Sequence, residues 1–393
     1  MLVYPRVILK RGKEKPLLRG HPWVFSGAVA KVEGEVSPGD TGEVYSAAGD
    51  FLGTGHLNPR SQIFLRLLTR KKEALNIDLF RVRLSRAVAL REIWLKNKVQ
   101  AYRMVNGEGD FLPGLIVDCY GKIFVSQFLT AGMDRLKGPL VDLLVDEFHP
   151  QSIYERSDVP ARKEEGLSET TGLLYGQEVP DRIETEEYGC RFGVDVKRGQ
   201  KTGFYLDQRE NRFALQELCR GKKVLDCFSY TGAFSVHAAL AGAKEITLID
   251  SSEEALVAAE AHFHLNHLER TPRQLIRGDA FRIMRDLGEE FDVVILDPPP
   301  FAKKKGHLPG AARGYKDVNL QAFHLLREEG LLLTFSCSHY MNWDLFQKIV
   351  FSAAVDAGKK VQLLSRRGHP ADHPVDLFHP EGEYLRGLIC RVW

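Results

Sequence analysis

Between Val224 and Ser336 short apolar runs alternate with helical patterns. The runs are Val224-Leu225-Asp226, Glu245 to Asp250, Gln274-Leu275-Ile276, Phe291 to Asp297 and Leu331 to Ser336; the helical patterns cover Ala233 to Ala241, Glu253 to His267, Ala280 to Leu287 and Val318 to Leu326. Strands that are apolar on both faces belong to a parallel sheet covered by helices on each side, so the expected class is α/β. In such a sheet ligands bind beyond the carboxyl ends of the strands. Four successive ends carry Asp226, Asp250, Asp279 and Asp297. Each alone reads as a solvated turn residue or a helix N-cap; together they point to one cleft.

The first of these ends leads into Cys227-Phe228-Ser229-Tyr230-Thr231-Gly232, where Gly232 allows a tight turn into the next helix. The segment has neither G-x-G-x-x-G nor G-x-x-x-x-G-K-[ST], which disfavours dinucleotides and triphosphates and favours an adenosine ligand without a pyrophosphate. Asp250 is placed to take both ribose hydroxyls, and Asp279 to accept from an adenine amino group. Asp297 opens Asp297-Pro298-Pro299-Pro300-Phe301. Its prolines stiffen the backbone so that the carboxylate and neighbouring carbonyls can face a planar substrate, with Phe301 available to stack on it.

Of the six cysteines, at 119, 190, 219, 227, 337 and 390, none forms a C-x-x-C pair, and no zinc or disulfide framework is expected. Cys337 is the exception in setting. It lies in Thr334-Phe335-Ser336-Cys337-Ser338, at the end of the strand expected beside the Asp297 loop. A cysteine at a strand end is more often inert packing; on the same rim as D-P-P-P-F it reads as a nucleophile.

The 393 residues are too many for one typical core, and three parts are expected: 1–72, 73–186 and 187–393. The first has short alternating stretches punctuated by glycines and reads as β-rich. A helix is expected from Asn76 to about Asn97, with Leu79, Val82, Leu84, Val88, Ile93 and Leu95 on one side and Arg81, Arg83, Arg86 and Arg91 elsewhere. Strands at Leu115 to Val117 and Ile123 to Phe128, a helix from Asp134 to Phe148 and further strands from Ser152 give a compact α+β middle part. Met1 to Gly107 holds 19 Lys/Arg against 9 Asp/Glu in a chain whose total charge is only +2, so the positive charge is localised. Such a basic module suits a nucleic-acid enzyme, and Lys10, Arg11 and Lys13, with Lys303, Lys304 and Lys305, are the candidates for neutralising RNA phosphates. No run is long and apolar enough for a membrane span and the N-terminus lacks a secretion core, so a cytoplasmic protein is expected.

At these motifs the sequence resembles the class I S-adenosylmethionine-dependent RNA methyltransferases, and specifically the RlmI/RlmO family of 23S rRNA cytosine-C5 methyltransferases. The resemblance spans essentially the whole chain. It rests on G-H-P-W-V-F-S-G-A-V from Gly20, S-I-Y-E-R-S-D-V from Ser152, K-T-G-F-Y-L-D-Q-R from Lys201, C-F-S-Y-T-G-A-F from Cys227, D-P-P-P-F from Asp297, R-G-Y-K-D from Arg313 and T-F-S-C-S from Thr334. It implies a PUA domain, a strand-strand-helix-strand-strand middle domain and a Rossmann-like, seven-stranded methyltransferase domain. It also implies S-adenosylmethionine as cofactor, held by Phe228, Ser229, Tyr230, Thr231, Asp250, Asp279 with Ala280, and Asp297 with Pro298. Lys201, Gln208 and Arg212 resemble the segment that closes over the cofactor's methionine end. The implied substrate is 23S rRNA or a large-subunit assembly intermediate; a homodimer is left open. Cytosine C5 is a poor nucleophile, so a Cys337 thiolate would first add to C6, with Asp297 holding the N3/N4 edge. The other large group of RNA cytosine-C5 methyltransferases carries a second cysteine in the motif that here holds Asp297, where this chain has prolines and Phe301; the base that removes the C5 proton is not identified.

Two other readings compete. D-P-P-P-F is compatible with methylation of an exocyclic base nitrogen, which needs no thiol, and a non-catalytic RNA-binding assembly factor would need no cofactor at all. A metal enzyme is disfavoured: His369, Asp372, His373, Asp376 and His379 are loosely spaced among prolines, and His262, His264 and His267 read as ordinary helix residues.

Overall fold

The computed structural model describes residues 4–95, 98–288, 290–302 and 304–393; the expected helix end at Asn97 and the candidate Lys303 lie outside them, as does the side chain of Lys305. The chain divides into two compact units. One comprises Met1–Thr185, Val194–Leu206 and Ala371–Gly382; the other comprises Glu186–Gly193, Asp207–Pro370 and Glu383–Trp393. A further two-stranded sheet pairs Ile183–Glu187 with Cys190–Val194.

The first unit holds two sheets. A six-stranded sheet runs in the order Trp23–Phe25, Ile63–Thr69, Phe51–Leu57, Thr41–Tyr45, Arg6–Leu9, Val29–Glu33. Its pairs are antiparallel except Arg6–Leu9 with Thr41–Tyr45. Val7, Leu9, Val24, Val44, Leu57 and Leu65 form its core. A five-stranded sheet runs Thr170–Gly176, Ser152–Ser157, Ile123–Phe128, Leu115–Tyr120, Ala101–Asn106, and packs with helices Ile77–Leu95 and Lys137–Phe148 around Val117, Phe128, Leu140 and Leu144. The helix expected from Asp134 is two helices, Ala131–Arg135 and Lys137–Phe148.

Helix Ile77–Leu95 corrects the sequence reading of its faces. Its buried residues are Phe80, Leu84, Ala87, Arg91 and Leu95, while Val82 and Ile93 are exposed. Arg91 belongs to the buried stripe because its charge is fully met there. Its guanidinium donates to both oxygens of Asp110 at 2.6 and 2.7 Å and to the carbonyls of Arg103 and Asp372, each at 2.8 Å. Bidentate pairing of this kind makes burial of a guanidinium tolerable.

In the second unit the sheet consists of β1 (Lys223–Cys227), β2 (Glu245–Asp250), β3 (Arg273–Arg277), β4 (Phe291–Leu296), β5 (Leu326–Ser336), β6 (Val361–Arg367) and β7 (Arg386–Val392). Its order is β3-β2-β1-β4-β5-β7-β6. Strands β1 to β5 are parallel, and β7 pairs antiparallel with both β5 and β6. Helices α1 (Arg209–Gln216), α2 (Ala233–Leu240), α3 (Glu253–Leu265), α4 (Ala280–Asp286), α5 (Leu308–Leu325) and α6 (Trp343–Asp356) alternate with the strands. Helix α5 starts ten residues before the expected Val318, with a proline in its first turn, and passes directly into β5. The core runs through Leu225, Val294, Leu296, Val318, Phe323, Leu332, Phe346 and Leu388. Because β2 lies on one side of β1 and β4 on the other, the strand order reverses between β1 and β4, the position at which open α/β sheets bind ligands beyond the strands' carboxyl ends. Among the described residues no helix is long and apolar enough to cross a membrane.

Candidate active site

The loop after β1 is shaped by three left-handed residues: Phe228 (φ 61°), Tyr230 (φ 48°) and Gly232 (φ 69°). The two non-glycine residues carry local strain that the surrounding contacts must hold. Ser229 donates its backbone N–H to the Ile249 carbonyl at 3.1 Å, and Tyr230 donates its own to Asp250 Oδ2 at 2.8 Å. Ser252 N–H reaches Asp250 Oδ1 at 2.9 Å, so Asp250 ties the β1 loop to the start of α3. Gly232 precedes α2, and a Cβ there would lie 2.8 Å from Ala259 Cβ and 3.0 Å from Leu248 Cδ2. Only glycine meets both the positive φ and the close packing.

Asp226 is buried. Its Oδ2 accepts from Ser235 Oγ at 2.7 Å, while Oδ1 has no hydrogen-bond partner. Burial pushes its carboxyl up to about 7, against the Ser235 bond and with help from the nearby Asp297 and Asp250. Ser229 Oγ and Thr231 Oγ1 are likewise buried without partners. Three orphaned polar atoms around one loop are what a site leaves for a polar ligand. Asp279 caps α4 by accepting from Phe281 N–H at 2.8 Å and is exposed, with Ala280 buried behind it. The N-cap role and a place on the strand rim are both present in that residue.

On the other side of the switch point, Asp297 follows β4. Gln208 Nε2 donates to Asp297 Oδ1 at 2.9 Å, and Gln208 Oε1 accepts from Asn211 Nδ2 at 2.6 Å. Gln208 and Asn211 are both buried. This order fixes the amide: with its oxygen held by Asn211, Gln208 can only present N–H to the carboxylate. The expected cofactor ligand therefore contacts Asp297. No sequence signal singled out Asn211.

Cys337 follows β5, half-buried, with Sγ 3.6 Å from the Pro298 carbonyl oxygen, to which its S–H is directed. The flanking serines hold it: Ser336 Oγ donates to Tyr315 OH at 3.0 Å, and Ser338 Oγ donates to the Ala302 carbonyl at 3.0 Å. The other five cysteines are buried. Burial pushes Cys190, Cys219 and Cys390 up to about 12 and raises Cys119 and Cys227 well above the usual thiol range, so none of them forms thiolate readily. Cys337 is the thiol with both access and a neighbouring carboxylate loop.

Arg212 is held in an ion pair. It is buried against Glu187, Nε to Oε1 at 2.5 Å and Nη2 to Oε2 at 2.7 Å, because the carboxylate offers a bidentate partner inside the unit. The ring of Phe301 packs into the core against Tyr315 and Phe281, with centroids 4.6 and 5.6 Å away, rather than standing clear to stack on a base. Lys201 belongs to the other unit, where its Nζ lies 4.4 Å from the Tyr205 ring centroid. The basic candidates Lys10, Arg11 and Lys13 are exposed, as is Lys304, and Lys10 Nζ donates to the Gly27 carbonyl at 3.0 Å. The His/Asp cluster disperses: His369 accepts the Leu385 backbone N–H at 3.1 Å, Asp372 accepts that of Arg103 at 3.0 Å, and Asp376 accepts that of Phe378 at 3.0 Å. Among the described residues no group of three or more His, Cys, Asp or Glu is placed to hold a metal.

The chain resembles known proteins along its length. A family model for S-adenosylmethionine-dependent methyltransferases matches residues 171–355, and one for PUA-like domains matches residues 7–70. The chain is 45% identical to the ribosomal RNA large subunit methyltransferase I of Shigella boydii serotype 4 and to that of Escherichia coli O157:H7, over 98% of this chain and 99% of each. Among solved structures it is similar to a candidate methyltransferase complexed with SAH, with a TM-score of 0.86, and to a candidate SAM-dependent methyltransferase from Streptococcus mutans, with a TM-score of 0.84. Each is 27% identical, covering 98% of this chain and 99% of that one. The cofactor is S-adenosylmethionine, and the orphaned atoms of Asp226, Ser229 and Thr231, the glycine turn and the absence of a pyrophosphate cradle fit it.

Proposed function

Because this chain belongs to the ribosomal RNA large subunit methyltransferase I family and depends on S-adenosylmethionine, we propose that it methylates C5 of a cytidine in 23S rRNA, in the cytoplasm, through a covalent bond between Cys337 and C6. The substrate is 23S rRNA or a large-subunit assembly intermediate. The single observation that carries this reading is the half-buried Cys337 thiol 3.6 Å from the Pro298 carbonyl, on the loop opened by Asp297.

The cofactor, when bound by the β1 loop and Asp250, supplies an electrophilic methyl group on sulfur. Everything else falls to the protein. Cys337 Sγ adds to C6 and turns C5 into an enamine-like carbon able to attack. Asp297 holds the N3/N4 edge and favours a protonated N3 as charge moves into the ring. Gln208 and Asn211 keep the Asp297 carboxylate in place, with Oδ1 occupied. Residues 1–72 and 73–186 serve as RNA-binding and middle domains ahead of the catalytic domain at 187–393, and Lys10, Arg11, Lys13 and Lys304 meet RNA phosphates.

Nucleoside mass spectrometry of 23S rRNA treated with the enzyme and S-adenosylmethionine tests the reading. 5-Methylcytidine, absent with Cys337→Ala, is the expected product. N4-Methylcytidine or N6-methyladenosine, with turnover kept in Cys337→Ala, would replace it with the exocyclic-nitrogen reaction; failure of the protein to bind S-adenosylmethionine would remove catalysis altogether.

A further inference from the structure

The C5 reaction leaves one group unassigned: whatever removes the proton from C5 after that carbon has received its methyl group. The rim carries a second pair of titratable side chains. Tyr384, just before β7, donates its hydroxyl to Asp207 Oδ2 at 2.7 Å, and Asp207 is buried while Tyr384 is partly exposed.

The contacts around this pair lead to both proposed catalytic residues. Asp207 immediately precedes Gln208, whose amide holds Asp297. Tyr384 adjoins the Cys337 loop: its ring centroid is 5.5 Å from that of His339, and Arg386 Nη1 donates to the carbonyls of Tyr384 at 3.3 Å and Ser338 at 3.5 Å. His369 fixes the turn from the other side, accepting the backbone N–H groups of Tyr384 at 3.4 Å and Leu385 at 3.1 Å, with ring centroids 4.3 Å apart. The contacts form a circuit: Cys337 to Pro298, Asp297 to Gln208, Asp207 to Tyr384, and Tyr384 back to the segment following Cys337. A tyrosine held this way, with its own proton already directed at a carboxylate, is equipped to relay a proton.

Resting on the cytosine-C5 reading above, we propose that Tyr384 takes the C5 proton of the methylated adduct and passes its own hydroxyl proton to Asp207. In this step the C5–H bond breaks to the phenolic oxygen, and its electron pair forms the C5=C6 double bond. The C6–S bond breaks with its pair remaining on Cys337 as thiolate. The tyrosine ends as it began, the Asp207 carboxylate becomes a neutral acid, and water then removes that proton. This arrangement supplies the release function for which the Asp297 motif holds no cysteine.

The test uses 23S rRNA transcripts carrying [5-3H]cytidine and follows tritium release beside methyl incorporation. The wild-type enzyme is expected to release tritium as it methylates. Tyr384→Phe, which keeps the ring packed against His339 and His369, is expected to slow release by at least about 100-fold. It should also accumulate a denaturation-resistant protein–RNA adduct that already carries the methyl group, with binding of S-adenosylmethionine unchanged. Asp207→Asn should act in the same direction; should it not fold, Tyr384→Phe decides alone. Release at the wild-type rate in Tyr384→Phe, or lost turnover without a methylated adduct, would overturn the relay while leaving the C5 reading intact. No tritium release from the wild-type enzyme during methylation would instead remove the C5 reading, and the relay with it.

Discussion

Glu187 and Asp226 are both buried carboxylates of the second unit, yet they are shifted in opposite directions. At Glu187 burial works to raise the carboxyl, but Arg212 and His237 outweigh it and hold the group at about 2. The guanidinium is bidentate, His237 Nε2 lies 3.0 Å from Glu187 Oε1, and Gln216 reaches His237 Nδ1 at 3.0 Å. At Asp226 burial prevails: one serine is its partner, one oxygen is bare, and two further aspartates add like charge, so the group sits at about 7. The first pocket is complete in itself and joins elements together. The second is incomplete and lies at the switch point of the sheet. Unfinished polar satisfaction, more than charge, distinguishes Asp226 from Glu187.

Breaking the completed pocket should have the largest effect on stability. Arg212→Met leaves the Glu187 charge buried with little compensation and is expected to lower stability by about 3–5 kcal/mol in denaturant titration. Retained stability would place the pair on the side of function. The two carboxylates also predict opposite pH behaviour. Glu187, lowered from 4.5, contributes stability that is present above its unfolded value and lost as pH falls toward 2. Asp226, raised from 3.8 to about 7, contributes stability that is present below about pH 4 and lost as pH rises to 7, a change on the order of 4 kcal/mol. Asp226→Asn should therefore flatten the pH 4–7 limb of the unfolding free energy; an unchanged limb would show that Asp226 is ionised throughout.

On the incomplete side, Gln208→Leu should lower kcat by up to about 100-fold with the affinity for S-adenosylmethionine unchanged, because Asp297 loses its orientation. A raised KM for the cofactor at constant kcat would return Gln208 to cofactor binding. The smallest effect is expected from Lys10, Arg11 and Lys13: replacing all three with alanine should reduce the slope of log affinity for RNA against log salt by about 0.7 to 0.9 for each that meets a phosphate. An identical slope would make them ordinary surface.

The same contrast explains what the sequence could convey. Continuous apolar runs betray strands buried on both faces, so β1 to β5 and the carboxylates at their ends were legible as pattern. β6 and β7 were not: Val361–Arg367 ends in Ser-Arg-Arg, Arg386–Val392 has charges at both flanks, and the long connection between them is rich in prolines and histidines. Partner choice was the least legible, because it joins distant positions. Gln208 and Asp297 are 89 residues apart, and Asp207 and Tyr384 177. The partner of Arg212, Glu187, lies 25 positions away, and Arg91 looked solvent-facing until Asp110 supplied a partner from 19. Phe301 read as a stacking platform because its aromatic neighbours, Phe281 and Tyr315, are likewise brought to it by tertiary packing.

The central claim is that Cys337 bonds covalently to the cytosine ring. RNA transcribed with 5-fluorocytidine in place of cytidine has no C5 proton to lose, so an adduct once methylated is trapped. Incubation with S-adenosylmethionine, denaturation and peptide mass spectrometry should yield a protein–RNA crosslink on the peptide containing Cys337, and none with Cys337→Ala. Efficient methylation of ordinary RNA with no denaturation-resistant complex on the fluorinated RNA would contradict it.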